Sequence, residues 1–400
     1  MSVPDSPTHL SGMRARNLVL VLDAIDRHQP VTRARLAELT GLTKTTVSAQ
    51  VTQLSALGVV ADAEPVKDGG RGRPGAPVSV APGPVAALGL EVNGHYLAAC
   101  VADLTRAVRV RRVLVRDNLG AAPAETIDAL GRLAREVVSE AAEAGLRPVG
   151  AVAALPGVVD QTTGTVSAPN LGWHEQSVAG LLRAALPAGI PLVGVDNEAN
   201  LAALGELWFG AGADFGDYIQ VSGETGIGAG IVVSGELFRG AHGSAGEIGH
   251  VVVDPNGPPC QCGGHGCLEQ VAGQAVLMRA AGLDDTAADD DPVAGLLRLL
   301  DAGDARAHAA VERAGHGLGT ALVAAVNLLD PDTVVLSGVH AALAPWLIPH
   351  AASALEHGGS RIRGGSPAIR TSGLARGAAV LGAAGLVVAR VFADPLGLAA

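Results

Sequence analysis

The chain has 400 residues, 48% hydrophobic and 2% aromatic, with four cysteines and a formal net charge of −11 at pH 7. That length can bury a sizeable core across two to four domains. So few cysteines exclude a disulfide framework and point to a reducing compartment, and so few aromatics exclude a carbohydrate platform built from several rings. The charge is uneven: the first 80 residues carry nine Lys/Arg against seven Asp/Glu, a net +2, leaving −13 on the remaining 320. A slightly basic head on an acidic body permits nucleic-acid binding at the head. The opening MSVPDSPTHLSGMRARN has no apolar core of secretory type. The greasiest stretch, GAAVLGAAGLVVARV, is rich in Gly and Ala, is interrupted by Arg390, and reads as a buried helix rather than a membrane span. A cytoplasmic protein with no membrane partner is expected.

In chain order, NLVLVLDAIDRH (17–28) has apolar residues at helical spacing. TRARLAELTG follows with Thr32 as N-cap and Gly41 as stop, and LTKTTVSAQVTQLSALG makes a second helix after a very short turn, with Val47, Val51, Leu54 and Leu57 three or four apart. Three such helices predict a helix-turn-helix. VVADAEP, the tip KDGGRGRPGAP and VSVAP predict two short strands around a wing. Pro82 and Pro84 mark a boundary, so residues 1–82 are expected to form a winged helix.

Three strands come next (VAALGLEV, YLAACVADL, VRVRRVLVRD), then the helix PAETIDALGRLAREVVSEAAEAG, the strand PVGAVAALPGVV, the helix SVAGLLRAALPAG, the strand PLVGVDNEAN and the helix LAALGELWFG. DFGDYIQVSG, GIGAGIVVSG and ELFRG repeat the triple-strand pattern, and a Cys-rich block interrupts before the long helix ending at Asp330–Pro331 and the strand DTVVLSG. The fold class is α/β, with this unit appearing twice. The expected boundaries are 83–190 for a first lobe, 191–372 for a second lobe with a loop at 250–267, and 373–400 for a terminal helix packing back on the first lobe. The acidic run 284–291 reads as a solvated loop or helix entry.

In the head, the second helix begins at Lys44 with Thr43 as its cap, and Lys44, Thr45, Thr46, Ser48 and Gln50 are candidates to enter a major groove of double-stranded DNA. Arg71 and Arg73 in the Gly-rich tip are candidates for a minor groove, and Arg33 and Arg35, with Arg14 and Arg16, for phosphates. The competing reading is a winged helix that binds protein.

The Cys-rich block places His250, Cys260, Cys262 and Cys267 at spacings of ten, two and five. One imidazole and three thiolates form a closed tetrahedral set for structural Zn²⁺, with no position left for a metal-bound water. Free thiols are the competing reading, and His242 and His265 compete with His250 as ligands. A pinned loop would bring Glu247 and Glu269, on either side of it, toward one place, where carboxylates can accept hydrogen bonds from vicinal hydroxyls. Cys100, within an apolar strand, reads as core.

APNLGW, VDNEANLAALGE, ETGIGAGIVVSGELFRGAHGSAGEIGH and CQCGGHGCLE together resemble the ROK family (repressors, open reading frames and sugar kinases), over nearly the whole chain to about residue 390. The winged helix further resembles the xylose-, glucose- and N-acetylglucosamine-type repressors of that family. The resemblance implies a two-lobed actin-like, hexokinase-like (ribonuclease H-like) ATPase-fold body around a cleft. It implies zinc on His250, Cys260, Cys262 and Cys267, and sugar contacts at Asn197, Glu198, Glu247, His250 and Glu269, with Asn170 contributing. His250 would ligate metal through one ring nitrogen and touch sugar through the other.

The family also contains kinases, whose catalytic Asp follows the Asn of an NDAN motif. Here Glu198 takes that place, and its extra methylene displaces the carboxylate. Where the kinases have an Asp-x-Gly-Gly-Thr phosphate turn, this chain reads LEVNGHYL, with Asn93 and His95 in place of one Gly and the Thr; Glu224 adds negative charge to the second phosphate loop. The expectation is therefore a homodimeric or homotetrameric repressor released from operator DNA by a sugar or sugar phosphate. The alternatives are a sugar kinase with a fused head, with Glu198 as base, and a regulator whose body is only a dimerisation scaffold.

Overall fold

The computed structural model describes residues 7–64, 76–283, 292–359 and 364–399. The wing tip with Arg71 and Arg73, and the acidic run 284–291, lie outside the described residues.

The head comprises α1 (Pro7–His28), β1 (Val31–Thr32), α2 (Arg33–Thr40), α3 (Lys44–Ala56), β2 (Val60–Asp62) and β3 (Pro77–Val80), the strands ordered β1-β3-β2. Two hydroxyls set the helix starts. Thr32 Oγ1 accepts from Arg35 N at 3.3 Å and Thr43 Oγ1 from Thr46 N at 3.1 Å, each satisfying an amide the first helical turn leaves without a partner. Gly41, at φ 70°, ends α2 in the left-handed conformation and makes the short turn.

The first lobe is built on β4 (Val85–Val92), β5 (Tyr96–Asp103), β6 (Val108–Val115), α4 (Pro123–Glu143) and β7 (Arg147–Leu155). A small antiparallel sheet follows, β8 (Val158–Asp160), β9 (Thr165–Ala168) and β10 (Trp173–Ser177), then α5 (Val178–Ala185), β11 (Leu192–Asn197) and α6 (Glu198–Phe209). The second lobe contains β12 (Tyr218–Gly223), β13 (Ile227–Val233), β14 (Glu236–Phe238), α7 (Glu269–Ala272), α8 (Gln274–Ala281), α9 (Pro292–Asp301), α10 (Ala305–Leu329), β15 (Thr333–Gly338), α11 (Val339–Ala342), α12 (Ala344–Gly358) and β16 (Ala368–Thr371). The chain then returns through α13 (Ala378–Ala393).

The two large sheets repeat one topology. In the first, β4, β5 and β6 form an antiparallel meander, and β7 and then β11 add parallel on the other side of β4. In the second, β12, β13 and β14 form the meander, and β15 and then β16 add parallel beside β12. The duplicated pattern in the sequence is thus a duplicated sheet. One expected boundary moves: residues 192–197 belong to the first sheet, because β11 pairs with β7 from Leu192 to Asn197. Of the polar residues read as that strand's end, Asp196 and Asn197 are in β11, and Asn197 caps α6, which holds Glu198 and Asn200.

α6 and α13 pack where glycine lets the backbones touch. A Cβ on Gly382 would lie 1.7 Å from Leu201 O, and one on Gly205 would lie 2.0 Å from Ala378 O. α13 is the one helix among the described residues long and apolar enough to cross a membrane, yet most of it is buried, with Val380, Ala383, Ala384 and Val388 fully enclosed. It also joins the head to the body. The apolar core of α1 and α3, including Leu22, Ile25, Val47 and Val51, continues without a break into β4, β5 and α13.

Candidate functional site

Three segments of the first lobe and three of the second face one another across a cavity of about 220 Å³. The first lobe supplies the turn after β7, the residues around Asn170 and the start of α6. The second supplies the loop from Thr225 into β13, the loop 243–250, and the Cys-rich loop with the start of α7. Asn170, Asn197, Glu198, Glu247, His250 and Glu269 all line this cavity.

The turn into α6 is held by a polar network. Asp196, nearly buried, is salt-bridged by Arg239 and accepts from Asn200 Nδ2 at 3.2 Å and Asn197 N at 2.8 Å. Asn197 Oδ1 accepts from Ala199 N and Asn200 N at 2.8 and 3.2 Å, and its amide donates to Gly157 O at 2.7 Å. Its oxygen is therefore committed to capping the helix, and what it presents to a ligand is the remaining amide N–H. On the opposite wall Glu269 Oε2 accepts from Ile227 N at 3.1 Å, which orients that carboxylate. Gly226 is required there: a Cβ would lie 2.7 Å from Glu269 Oε2 and 2.8 Å from Asn170 Nδ2.

His250 looks both ways. Its Nε2 lies 3.8 Å from Glu247 Oε2, and its Nδ1 lies 3.7 Å from Cys260 Sγ. Donor atoms of His250, Cys260, Cys262 and Cys267 all fall within 4.8 Å of one another, with Cys262 Sγ and Cys267 Sγ 3.6 Å apart. That separation is far beyond a disulfide. It matches the ~3.5–3.8 Å between ligands of a tetrahedral Zn²⁺ with Zn–S near 2.3 Å and Zn–N near 2.0–2.1 Å. The donor set therefore fits a closed zinc site. His242 and His265, equally open on spacing, are not in the cluster. Gly266, at φ 62°, makes the loop possible, since a Cβ there would sit 1.5 Å from Asp254 O.

Beyond Glu198 the interlobe space narrows to about 10 Å³, lined by Glu91, Glu198 and Glu224 with Tyr96, Ser222 and Arg376. This convergence of three carboxylates was not legible in the sequence, because the residues come from β4, the start of α6 and the loop after β12. Burial pushes Glu198 up to about 8, reinforced by Glu224 and Glu91. Burial also holds Glu91 at about 7 against the hydrogen bond from Tyr96, whose hydroxyl donates to Glu91 Oε1 at 2.7 Å. Glu224 rises to about 7 through burial, opposed by Arg376. The degenerate first loop and the second loop meet directly: a Cβ on Gly94 would lie 2.4 Å from Thr225 Oγ1. Asn93 is buried, its Oδ1 accepting from His95 N at 3.0 Å.

In the head, Lys44, Thr45 and Ser48 are exposed on α3, and Thr46 is half-buried with its hydroxyl 2.9 Å from that of Thr43. Gln50 corrects the sequence reading. It lies on the same face as Val47, Val51 and Leu54, is 5% exposed, and its Oε1 has no partner, so it does not reach a groove. Arg33 is half-buried, bonded to Asp62 at 3.1 Å and to Ala76 O at 3.2 Å, and so ties α2 to the strands. Arg35 is exposed and pairs with Glu38 at 2.9 Å.

The ROK family profile matches residues 87–390, and the MarR family profile matches residues 17–72. The chain belongs to the ROK family. It is 30% identical over 322 residues to the xylose repressor of Bacillus subtilis (strain 168), covering 80% of this chain and 81% of that one. A crystal structure of a ROK family transcriptional regulator, a homolog of the E. coli MLC protein, superposes with a TM-score of 0.79 at 23% identity, covering 97% of this chain and 98% of that one. A ROK family glucokinase from Streptomyces griseus, solved with glucose and AMPPNP, superposes with a TM-score of 0.64 at 27% identity, covering 75% of this chain and 98% of that one. The likeness to the regulator thus extends over the head as well as the body.

Proposed function

We propose that this ROK protein is a DNA-binding transcriptional repressor whose hold on operator DNA is set by a sugar or sugar derivative in the interlobe cavity. One observation carries the reading. Polar side chains from both lobes converge on one cavity, while the adjoining space, where a kinase would hold triphosphate, narrows to about 10 Å³ and is lined by three carboxylates. At about 220 Å³ the cavity falls just below the usual range of drug-sized ligand sites (roughly 300–1,000 Å³), which suits a ligand as small as a monosaccharide.

Glu247, Glu269 and the Nε2 face of His250 are the hydroxyl-reading groups, opposed by Asn170, Asn197 and Glu198 from the first lobe. His250, Cys260, Cys262 and Cys267 would hold a structural Zn²⁺, which supplies no reacting group and fixes the loop that carries Glu247 and His250. Sugar touching both walls favours the closed arrangement of the lobes. The head shares the first lobe's core, so lobe closure turns it, and two heads of a dimer then no longer match two half-sites. On the exposed start of α3, Lys44, Thr45 and Ser48 are the groove-facing residues.

The test is a fluorescence-anisotropy titration of operator DNA with the full chain, against a panel of neutral and phosphorylated sugars, with ATP consumption followed in parallel. Sugar-dependent release without ATP turnover is the expected result. Glu247→Ala should keep DNA affinity within about twofold and abolish the response. Saturable ATP turnover lost in Glu198→Ala would identify a kinase. DNA binding untouched by every sugar would leave a dimerisation scaffold.

A further inference from the structure

We propose that the second lobe carries a second transition-metal site, separate from the cysteine cluster, where Glu312 and His316 of α10 meet His350 of α12. Glu312 and His316 are four residues apart on one helix and therefore lie one above the other on one face. The crossing helix is brought to that face by glycine. A Cβ on Gly315 would stand 2.7 Å from His350 Cβ and 2.8 Å from Leu347 O, and one on Gly319 would stand 2.5 Å from Ala351 O. The stretch GHGLG thus does two things: its glycines let α12 approach, and its histidine meets the histidine that α12 delivers.

The two imidazole rings lie 5.3 Å apart between centroids and are tilted by 40°, and one donor atom from each of the three residues falls within 4.8 Å of the others. Two donors on one ion at about 2.1 Å are at most about 4.2 Å apart. The side chains have room for the small torsional adjustments that coordination needs, since Glu312 and His316 are exposed and His350 is half-buried. His316 Nδ1 is 2.9 Å from the carbonyl of Glu312. That bond takes the Nδ1 proton, so the neutral ring offers its lone pair at Nε2, the usual arrangement behind a ligating histidine. Two imidazoles and a carboxylate suit zinc and the neighbouring divalent transition ions, and do not suit magnesium or calcium, which take oxygen ligands. The ion would clamp α10 to α12 on the outer side of the lobe and leave a coordination position to solvent.

The experiment uses the full chain without a histidine tag. Zinc bound per chain is counted by equilibrium dialysis for the wild type and the His316→Gln/His350→Gln double variant, with circular dichroism and a metal-free thermal melt reporting the fold of each. The double variant is expected to bind one equivalent less and to lose part of the zinc-induced rise in Tm. With Co²⁺ as probe, the missing equivalent should carry no sulfur-to-cobalt charge-transfer band, which separates it from the cysteine cluster. Equal stoichiometry in the two chains, or a missing equivalent that carries the sulfur band, overturns the site. Glu312→Gln, an exposed change, gives an independent reading if the double variant misfolds. Zinc affinity at this site should fall at least about tenfold, and an unchanged affinity would also overturn the proposal.

Discussion

Glu224 shows how one residue alters the chemistry of a cleft. Placed beside Glu91 and Glu198, it adds a third carboxyl to an enclosed space; burial raises all three from the ordinary carboxylate range to about 7 or 8, and the charge of Glu224 adds to the rise at Glu91 and Glu198. An acid with a raised folded-state value gives stability that is fully present below its unfolded value and is lost as pH rises through the folded one. The window here runs from about pH 4.5 to about pH 8, and the three groups release their protons as a coupled set. Glu224→Gln removes one member, so its Tm relative to wild type should be a few degrees higher at pH 8.5 than at pH 6. Paired thermal melts check this, and a pH-independent difference would show that Glu224 is not buried as described. Gln50 is the other instructive residue. Its polar side chain read as groove-facing, but the spacing from Val47 to Leu54 already placed it on the apolar face. Gln50→Leu removes a buried oxygen without a partner, which costs about 1–3 kcal/mol to bury. The variant should melt no lower than wild type and keep operator affinity within about twofold.

At the scale of elements, helix starts and strand runs were legible where local chemistry sets them. Thr32 and Thr43 cap as their positions imply, and the two triple-strand runs are two meanders. The Cys-rich loop was legible as a donor set but not in its choice of histidine, because loop spacing constrains reach and not direction. The structure selects His250 through the turn Ile248–His250, which points one ring nitrogen at Cys260 and the other at Glu247. The cysteine–histidine donor cluster and the interlobe cavity therefore share one side chain, His250. Cys262→Ser should lower bound zinc and weaken the sugar response together, measured by metal analysis and by sugar titration of the operator complex. Full sugar response with zinc lost would separate the two. The small sheet β8 to β10 was not legible, since its strands are three to five residues long and have no extended alternation of their own.

Across the whole molecule, the head is anchored rather than tethered. Asp26 of α1 receives both Arg106 guanidinium nitrogens, at 3.0 and 2.9 Å, and the same guanidinium lies 5.4 Å from the Phe392 ring centroid at the end of α13. One side chain from the turn after β5 thus holds the first helix of the head and the last helix of the body. Arg106→Ala should cost roughly 1.5–3 kcal/mol, as expected for hydrogen bonds to a charged group. It should leave sugar affinity unchanged and shrink the factor, typically 5–150-fold for coupled sites, by which sugar weakens operator binding. Anisotropy titrations with and without sugar measure that factor, and an unaltered factor would place the coupling elsewhere.

By itself the sequence determined the winged head, the duplicated α/β body, the four-residue donor set and the acidic residues beside it, because capping, periodicity and ligand type are properties of short stretches. Tertiary structure alone decided that β11 belongs to the first sheet, that Glu91, Glu198 and Glu224 share one enclosed space, and that Arg106 bridges head and body. Each of these depends on contacts between segments distant along the chain. Close approaches at Gly94, Gly205 and Gly382 are of the same kind, since the room a missing Cβ leaves there is filled by a partner that no local pattern names.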